Sequence, residues 1–188
     1  VGFATKIISD KVTKETDPLG PDNVLVFATG PYQATNIASA GRCSAAAKSP
    51  LTGYWGESSC GGHLGTELKR AGFDAIVITG KSEKPVYLWL NDGKNEIRDA
   101  TKFWGMDTAE TTDAIKEDVG DSRATVSSIG QAGENLVRYA CILNDKHAAF
   151  GRCGLGAVMG SKNLKALAVR GTLKPPIAEQ EKLKEIYK

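Results

Sequence analysis

The chain of 188 residues sets 24 Lys+Arg against 22 Asp+Glu, a formal net charge of +2, within 41% hydrophobic and 24% charged residues. That mix excludes wholesale disorder, collagen-like repeats and coiled coils, and so small a charge excludes nucleic-acid or anionic-membrane binding driven by bulk electrostatics. Apolar runs such as Ala75 to Ile78 fall far short of the ~20 residues a membrane span needs.

In chain order, Val1, Ala4, Ile7 and Ile8 recur at helical spacing up to Lys11, and Asp17-Pro18-Leu19-Gly20-Pro21 stops the pattern. Val1 follows no initiator Met or apolar leader, so the start resembles that of a fragment. Val24 to Ala28 predicts a buried strand and Ala40 to Ala47 another, bounded by Ser49-Pro50 and a glycine-rich loop. Leu64, Leu68 and Ala71 give a helical face closed by Gly72, followed by the strand Ala75 to Ile78. Val86 to Leu90 and Glu96 to Arg98 flank Asn91-Asp92-Gly93-Lys94, whose Asp-Gly step favours a hairpin. Thr108 is placed to cap a helix running to Val119, with Gly120 after its end. Ala124 to Ile129, Tyr139 to Leu143 and Ala166 to Arg170 have strand character, and a charged helix starts at Ala178. Hairpins mixed with helices predict an α+β fold.

Cys43, Cys60, Cys141 and Cys153 form no C-x-x-C, and the histidines are His63 and His147. Zinc or iron–sulfur ligation within the chain is therefore not expected, and sparse cysteine points to a reducing, cytoplasmic setting. The 21 glycines, roughly 11% of the chain against a usual ~7%, gather in Gly53 to Gly65 and Gly151 to Gly160. Glycine lets backbone approach something closely.

HLGTELKRAGFDAIVITG (63–80) aligns without a gap on GLGAVMGSKNLKALAVRG (154–171), with Leu64/Leu155, Gly65/Gly156, Ala75/Ala166 and Gly80/Gly171 identical. The fold expected is two packed β-sheets with helices and an internal pseudo-two-fold duplication, a glycine loop, helix and strand built twice. Free backbone N–H groups at two helix starts would favour two anionic groups, with Arg42 and Arg152 adding planar donor forks. Close packing of helix on strand, with no ligand, accounts for the glycines equally well. Neither segment completes a P-loop or a G-x-G-x-x-G fingerprint.

The segments KSPLTGYWGESSCGGHLGTELKRAGFDAIVITG (48–80), KPVYLWLNDGKNEIRDATKFWG and IGQAGENLVRYACILNDKHAAFGRCGLGAVMGSKNLKALAVRG (129–171) resemble the N-terminal domain of the tungsten-containing aldehyde:ferredoxin oxidoreductase family. The resemblance implies a tungsten (or molybdenum) bis-pterin cofactor, with magnesium bridging the pterin phosphates and this domain as its base. It implies contacts at Arg42, Ser59, Cys60, Gly61 and Gly62 in a first segment and at Arg152, Cys153, Gly154 and Gly156 in a second. Family members often carry Asn at the position of Ser59 and Gly or Ala at that of Cys153, so main-chain contacts are the ones to carry over. Both cysteines read as small buried hydrophobes, and Glu134 as a helix-start cap.

By the same resemblance, residues 1–175 would be a pterin-binding domain whose first strands precede Val1, and 176–188 would begin a helix leading to a second domain. A 4Fe-4S cluster and the substrate-facing acid and histidine would lie outside this chain, and a homo-oligomer is among the partners the reading allows. The reaction implied is oxidation of an aldehyde to a carboxylic acid with electrons passing to ferredoxin or an electron-transfer subunit. A tungsten-dependent aromatic acyl-CoA (thioester) reductase of the same family, and a non-catalytic phosphate- or nucleotide-binding module, are the alternatives.

Overall fold

The structure, a computed structural model, describes residues 1–35 and 37–186; Tyr187 and Lys188, part of the expected closing segment, lie outside them. Strands β1 (Leu25–Ala28), β2 (Cys43–Lys48), β3 (Trp55–Cys60) and β4 (Ala75–Ile78) form an antiparallel sheet in the order β3-β2-β1-β4. Strands β5 (Val86–Asn91), β6 (Lys94–Asp99), β7 (Thr125–Ser128), β8 (Ile142–Asn144), β9 (Ala148–Phe150) and β10 (Leu164–Arg170) form a second sheet in the order β6-β5-β10-β7-β8-β9, parallel only between β10 and β5. Helices are α1 (Gly2–Lys11), α2 (Leu64–Arg70), α3 (Thr108–Val119), α4 (Gln131–Glu134), α5 (Leu155–Ser161) and α6 (Gln180–Ile186).

The duplication is larger than the sequence echo. Three antiparallel strands, a helix and a fourth strand returning beside the first give β1-β2-β3-α2-β4, and the same path recurs as β7-β8-β9-α5-β10, with orders 3-2-1-4 and 9-8-7-10. Helices α2 and α5 begin at aligned residues, Leu64 and Leu155, and the residues two before them, Gly62 and Cys153, both adopt left-handed φ, +80° and +69°. Each helix also crosses to the other unit: α2 packs on β7 and β10, α5 on β1 and β2. One apolar core follows from this exchange, joining Leu25, Phe27, Leu64 and Leu68 to Ile142, Phe150, Leu155 and Leu167. Phe27 and Phe150 meet edge to face at 5.6 Å across the two sheets.

The outer faces are covered separately. Ala4 and Ile8 of α1 lie on Val24, Val26 and Ala46, and Ile115 of α3 joins Tyr87, Trp89, Phe103 and Val126. The β5–β6 hairpin turns through Asp92 and Gly93, both at positive φ (46° and 82°), the left-handed pair that a tight hairpin requires.

Three sequence expectations need correction. The stretch between Gly53 and Gly65 is not a loop throughout, because Trp55 to Cys60 pairs residue for residue with Lys48 to Cys43. Helix α3 is capped by Asp107, not Thr108: the Asp107 carboxylate accepts from the amides of Ala109 and Glu110 at 2.7 and 2.8 Å, and Glu110 returns the bond to complete a capping box. Glu134 lies in the single turn of α4 but caps no helix start. Its carboxylate is buried, accepts from Gly105 N–H at 2.9 Å and pairs with the fully buried ammonium of Lys165.

Candidate functional site

Both sheets end at an edge strand, β3 in one and β9 in the other, and the two edges adjoin. Covering each edge with the other removes exposed strand groups and brings together the segments singled out from the sequence. Arg152 N–H reaches Ser58 Oγ at 3.4 Å, and Cys153 Sγ lies 3.5 Å from the Glu57 carbonyl. From β8, Asn144 Nδ2 donates to the Gly61 carbonyl at 3.0 Å. A side chain at Gly56 would strike Cys153 Cβ at 2.8 Å, so glycine there permits the close approach. The seam thus joins Arg42, Ser59, Cys60, Gly61 and Gly62 to Arg152 and Cys153.

Arg42 and Arg152 are both exposed. Arg70, Arg98, Arg123 and Arg170 each pair with a carboxylate, whereas Arg42, Arg138 and Arg152 have no such partner among the described residues; of these three, Arg42 and Arg152 each follow a glycine in the chain. Arg42 Nη1 donates only to the Ser59 carbonyl, at 3.3 Å. Beside each guanidinium the main chain is bare: a Cβ at Gly41, Gly61 or Gly151 would meet nothing within 4 Å. Two unneutralised forks flanked by open backbone fit anionic groups such as phosphates.

Burial, with a smaller contribution from nearby Cys60, pushes the Cys43 thiol up to about 12; Cys60 is raised by burial too, against opposing pulls from Asn144 and Arg42. Both thiols stay protonated near neutral pH, so what Cys60 can offer a ligand is its main chain. The four cysteines are free.

Gly154 and Gly156 depart from the expected role. Each is buried, and an added Cβ would lie 1.9 Å from the Arg138 carbonyl oxygen in one case and 2.4 Å from that of Cys141 in the other. The Gly156 N–H is used within the protein, donating to the Ala140 carbonyl at 2.9 Å. Gly65 in the first unit is likewise buried, under the Gln33 side chain. Gly65 and Gly156, shared by the echo at the two helix starts, therefore face inward and serve packing, and the open backbone lies a few residues earlier in each segment, at Gly61 and Gly151. Asn144 and Ser58, which brace the seam, were not apparent from the sequence, because they belong to strands defined only by their partners.

His63 lines a separate polar cleft of about 260 Å³ with Glu67, Lys116, Arg123, Asp145 and Arg170. Its charges are internally matched, Glu67 binding Arg170 at 2.7 Å and Asp145 facing Lys116 at 3.7 Å. A larger apolar cleft lies between α1 and the β2–β3 turn, lined by Ile8, Val12 and Tyr54. No helix of the described residues is long and apolar enough to cross a membrane, and these residues contain no cluster of three or more His, Cys, Asp or Glu suited to a metal ion.

The family model described as aldehyde ferredoxin oxidoreductase, N-terminal domain, matches residues 1–171. A tungsten-containing aldehyde ferredoxin oxidoreductase of Pyrococcus abyssi is 48% identical over the whole chain, which spans 31% of that relative's length. An aliphatic sulfonate oxidoreductase, WOR-like subunit, of Pyrococcus furiosus is 38% identical over 93% of the chain and 30% of its own length. Among solved structures, the active-site complex BamBC of benzoyl coenzyme A reductase, determined with 1,5-dienoyl-CoA, is similar at a TM-score of 0.96 and 41% identity, covering 99% of this chain and 28% of that one. The paired-sheet α+β architecture matches this neighbour, and the chain belongs to the aldehyde ferredoxin oxidoreductase family, an oxidoreductase family, whose N-terminal domain it spans.

Proposed function

We propose that the β3–β9 seam is the base of a tungsten (or molybdenum) bis-pterin site in an enzyme that oxidises aldehydes to carboxylic acids. The observation that carries this reading is the pair of exposed, unneutralised guanidiniums, Arg42 and Arg152, each beside open glycine backbone at the meeting of the two repeated units. Two anchors, one from each unit though not at equivalent positions, suit a cofactor with two phosphate-bearing halves. The Pyrococcus abyssi relative is a tungsten-containing enzyme.

Within this chain, Arg42 and Arg152 would bind the pterin phosphates through charge-assisted hydrogen bonds. Main-chain groups of Ser59, Cys60, Gly61, Gly62 and Cys153 would serve the phosphates or the bridging magnesium. When bound, the metal centre supplies the two-electron redox chemistry, and the protein's share is orientation and electrostatics. The domain reading, 1–175 as cofactor base with 176–188 leading into the rest of the enzyme, accords with a chain spanning about a third of its relatives. The 4Fe-4S cluster, the aldehyde pocket and contact with ferredoxin are assigned to those remaining parts. Free thiols throughout support a reducing, cytoplasmic setting.

The second reading, a subunit reducing aromatic acyl-CoA thioesters, is favoured by the 41% identity to the benzoyl coenzyme A reductase complex. Metal analysis of the native full-length protein, with pterin fluorescence after oxidation of the denatured material, tests the shared cofactor. The expected result is tungsten or molybdenum together with pterin; native protein containing neither would overturn both enzyme readings in favour of a phosphate-binding module. Turnover of aldehydes against aromatic acyl-CoA thioesters by the loaded enzyme then separates the two chemistries.

A further inference from the structure

The two units treat one hydrogen bond differently. Extending the β8–β9 register one step beyond Ile142–Phe150 sets Cys141 against Gly151, the counterpart of Cys60 in the echo. Cys141 then stands where Cys43 does, and Ala140 where Arg42 does. In the second unit the Ala140 carbonyl is held directly by the amide of Gly156, in the first turn of α5, at 2.9 Å. In the first unit the Arg42 carbonyl is held instead by a side chain, Gln33 Nε2, at 2.6 Å, and that side chain lies across Gly65, the counterpart of Gly156.

We propose that Gln33 is a positioning residue: its amide is wedged between α2 and the Arg42 main chain, holding Arg42 away from the helix so that its guanidinium stands at the seam. This rests on the reading of Arg42 as a phosphate anchor. Three features support the wedge. Gln33 is only 1% exposed, so its side chain is fixed. Gly65 supplies the notch, since a Cβ there would fall 2.4 Å from Gln33 Oε1 and 2.8 Å from Nε2.

The third feature is a cost that packing alone does not explain. Gln33 Oε1 is buried without a hydrogen-bond partner, and a buried orphan acceptor is unfavourable. A methionine of similar length would fill the notch without the buried Oε1. What it would lack is the Nε2 donor to Arg42. The amide orientation follows from the network, because the opposite assignment would set Oε1 against the Arg42 carbonyl oxygen.

The test uses the full-length, cofactor-loaded enzyme and reads the rate of pterin loss into phosphate buffer. Arg42→Ala and Gln33→Met are each expected to speed loss roughly tenfold, the size of one hydrogen bond to a charged group. The double variant should be no more than about twofold faster than either single one, because both changes remove the same anchor. Gln33→Glu keeps the volume but replaces the donor with an acceptor, and should behave like the methionine variant. Should Gln33→Met fail to fold, Gly65→Ala displaces the same amide and should give the same tenfold effect.

Parental retention in Gln33→Met and Gln33→Glu, with Arg42→Ala impaired, would overturn the wedge and leave the phosphate anchor standing. Multiplying effects, about a hundredfold in the double variant, would also overturn it, as they would show Gln33 acting apart from Arg42. Parental retention in Arg42→Ala would remove the anchor itself and the wedge with it.

Discussion

The first unit, β1-β2-β3-α2-β4, and the second, β7-β8-β9-α5-β10, share one chain path but differ in how their helices are buried. Every residue of α5, Leu155 to Ser161, is buried, whereas α2 buries Leu64, Gly65, Glu67 and Leu68 and leaves Arg70 in solvent. An all-round small and apolar helix sits inside a core, and an amphipathic one sits at its margin. The second unit also carries the extra β5–β6 hairpin against β10. A duplicated scaffold thus has a fully buried helix in one unit and, in the other, a half-buried helix with the Gln33 side chain set between it and the Arg42 main chain.

The largest effect that would break or sharpen this contrast is at the paired glycines. Gly156→Ala sets a methyl 2.4 Å from the Cys141 carbonyl oxygen, where main chain must move, while Gly65→Ala meets only the end of the Gln33 side chain. The first should prevent folding of the full-length enzyme at ordinary temperature, and the second should leave a cooperative unfolding transition. Circular dichroism melts check both, and equal damage at the two sites would erase the distinction.

Next in size is the buried pair of the second unit. Lys165→Met strands the Glu134 carboxylate, whose side chain is 5% exposed, and should cost about 3–5 kcal/mol in denaturant unfolding. The residue at the matching place in the first unit is Asp74, exposed and paired with Lys69. Asp74→Asn should cost under ~1 kcal/mol.

Lys162 stands where the first unit has Ala71. Burial pushes its ammonium down to about 8 from 10.5, although its Nζ donates to the carbonyls of Pro21 and Gly80. With the folded value depressed, the unfolded chain binds more protons between about pH 8 and 10.5, so this group's contribution to stability rises with pH across that window. Unfolding free energies of the parent and Lys162→Met, compared from pH 7.5 to 10, should show the parent gaining relative to the variant. A parent that loses ground over that range would contradict the burial assigned to Lys162.

A further small effect lies outside both units. Asp107→Ala should cost about 1 kcal/mol through the lost cap of α3, and Thr108→Ala much less, a ranking that chemical denaturation can resolve.

The echo at 63–80 and 154–171 was legible because a helix and the strand after it carry periodicity and glycine in a fixed order. Of the three strands ahead of each helix the first two were read, with shifted ends, but the third was not: β9 is only Ala148-Ala149-Phe150, and alanine has little strand preference of its own. What makes it a strand is pairing with β8 through Asp145 and Lys146, both at positive φ. At the candidate site, Arg42, Ser59 to Gly62, Arg152 and Cys153 were singled out from sequence and are brought to one seam. Gly154 and Gly156 pack against neighbouring main chain, which sequence could not foretell, since a glycine at a helix start is demanded equally by an approaching ligand and by an approaching chain. Sequence carries no sign of which side the approach comes from. Gln33 went unnoticed because a lone glutamine in a turn has no periodic or motif signature.

Two anchors, one per unit, are the centre of the account, and pterin retained per chain in the full-length enzyme measures them directly. Arg42→Ala and Arg152→Ala should each reduce the pterin recovered without lowering the thermal midpoint of the cofactor-free protein, and the double variant should retain almost none. Parental pterin content in the double variant would contradict the account.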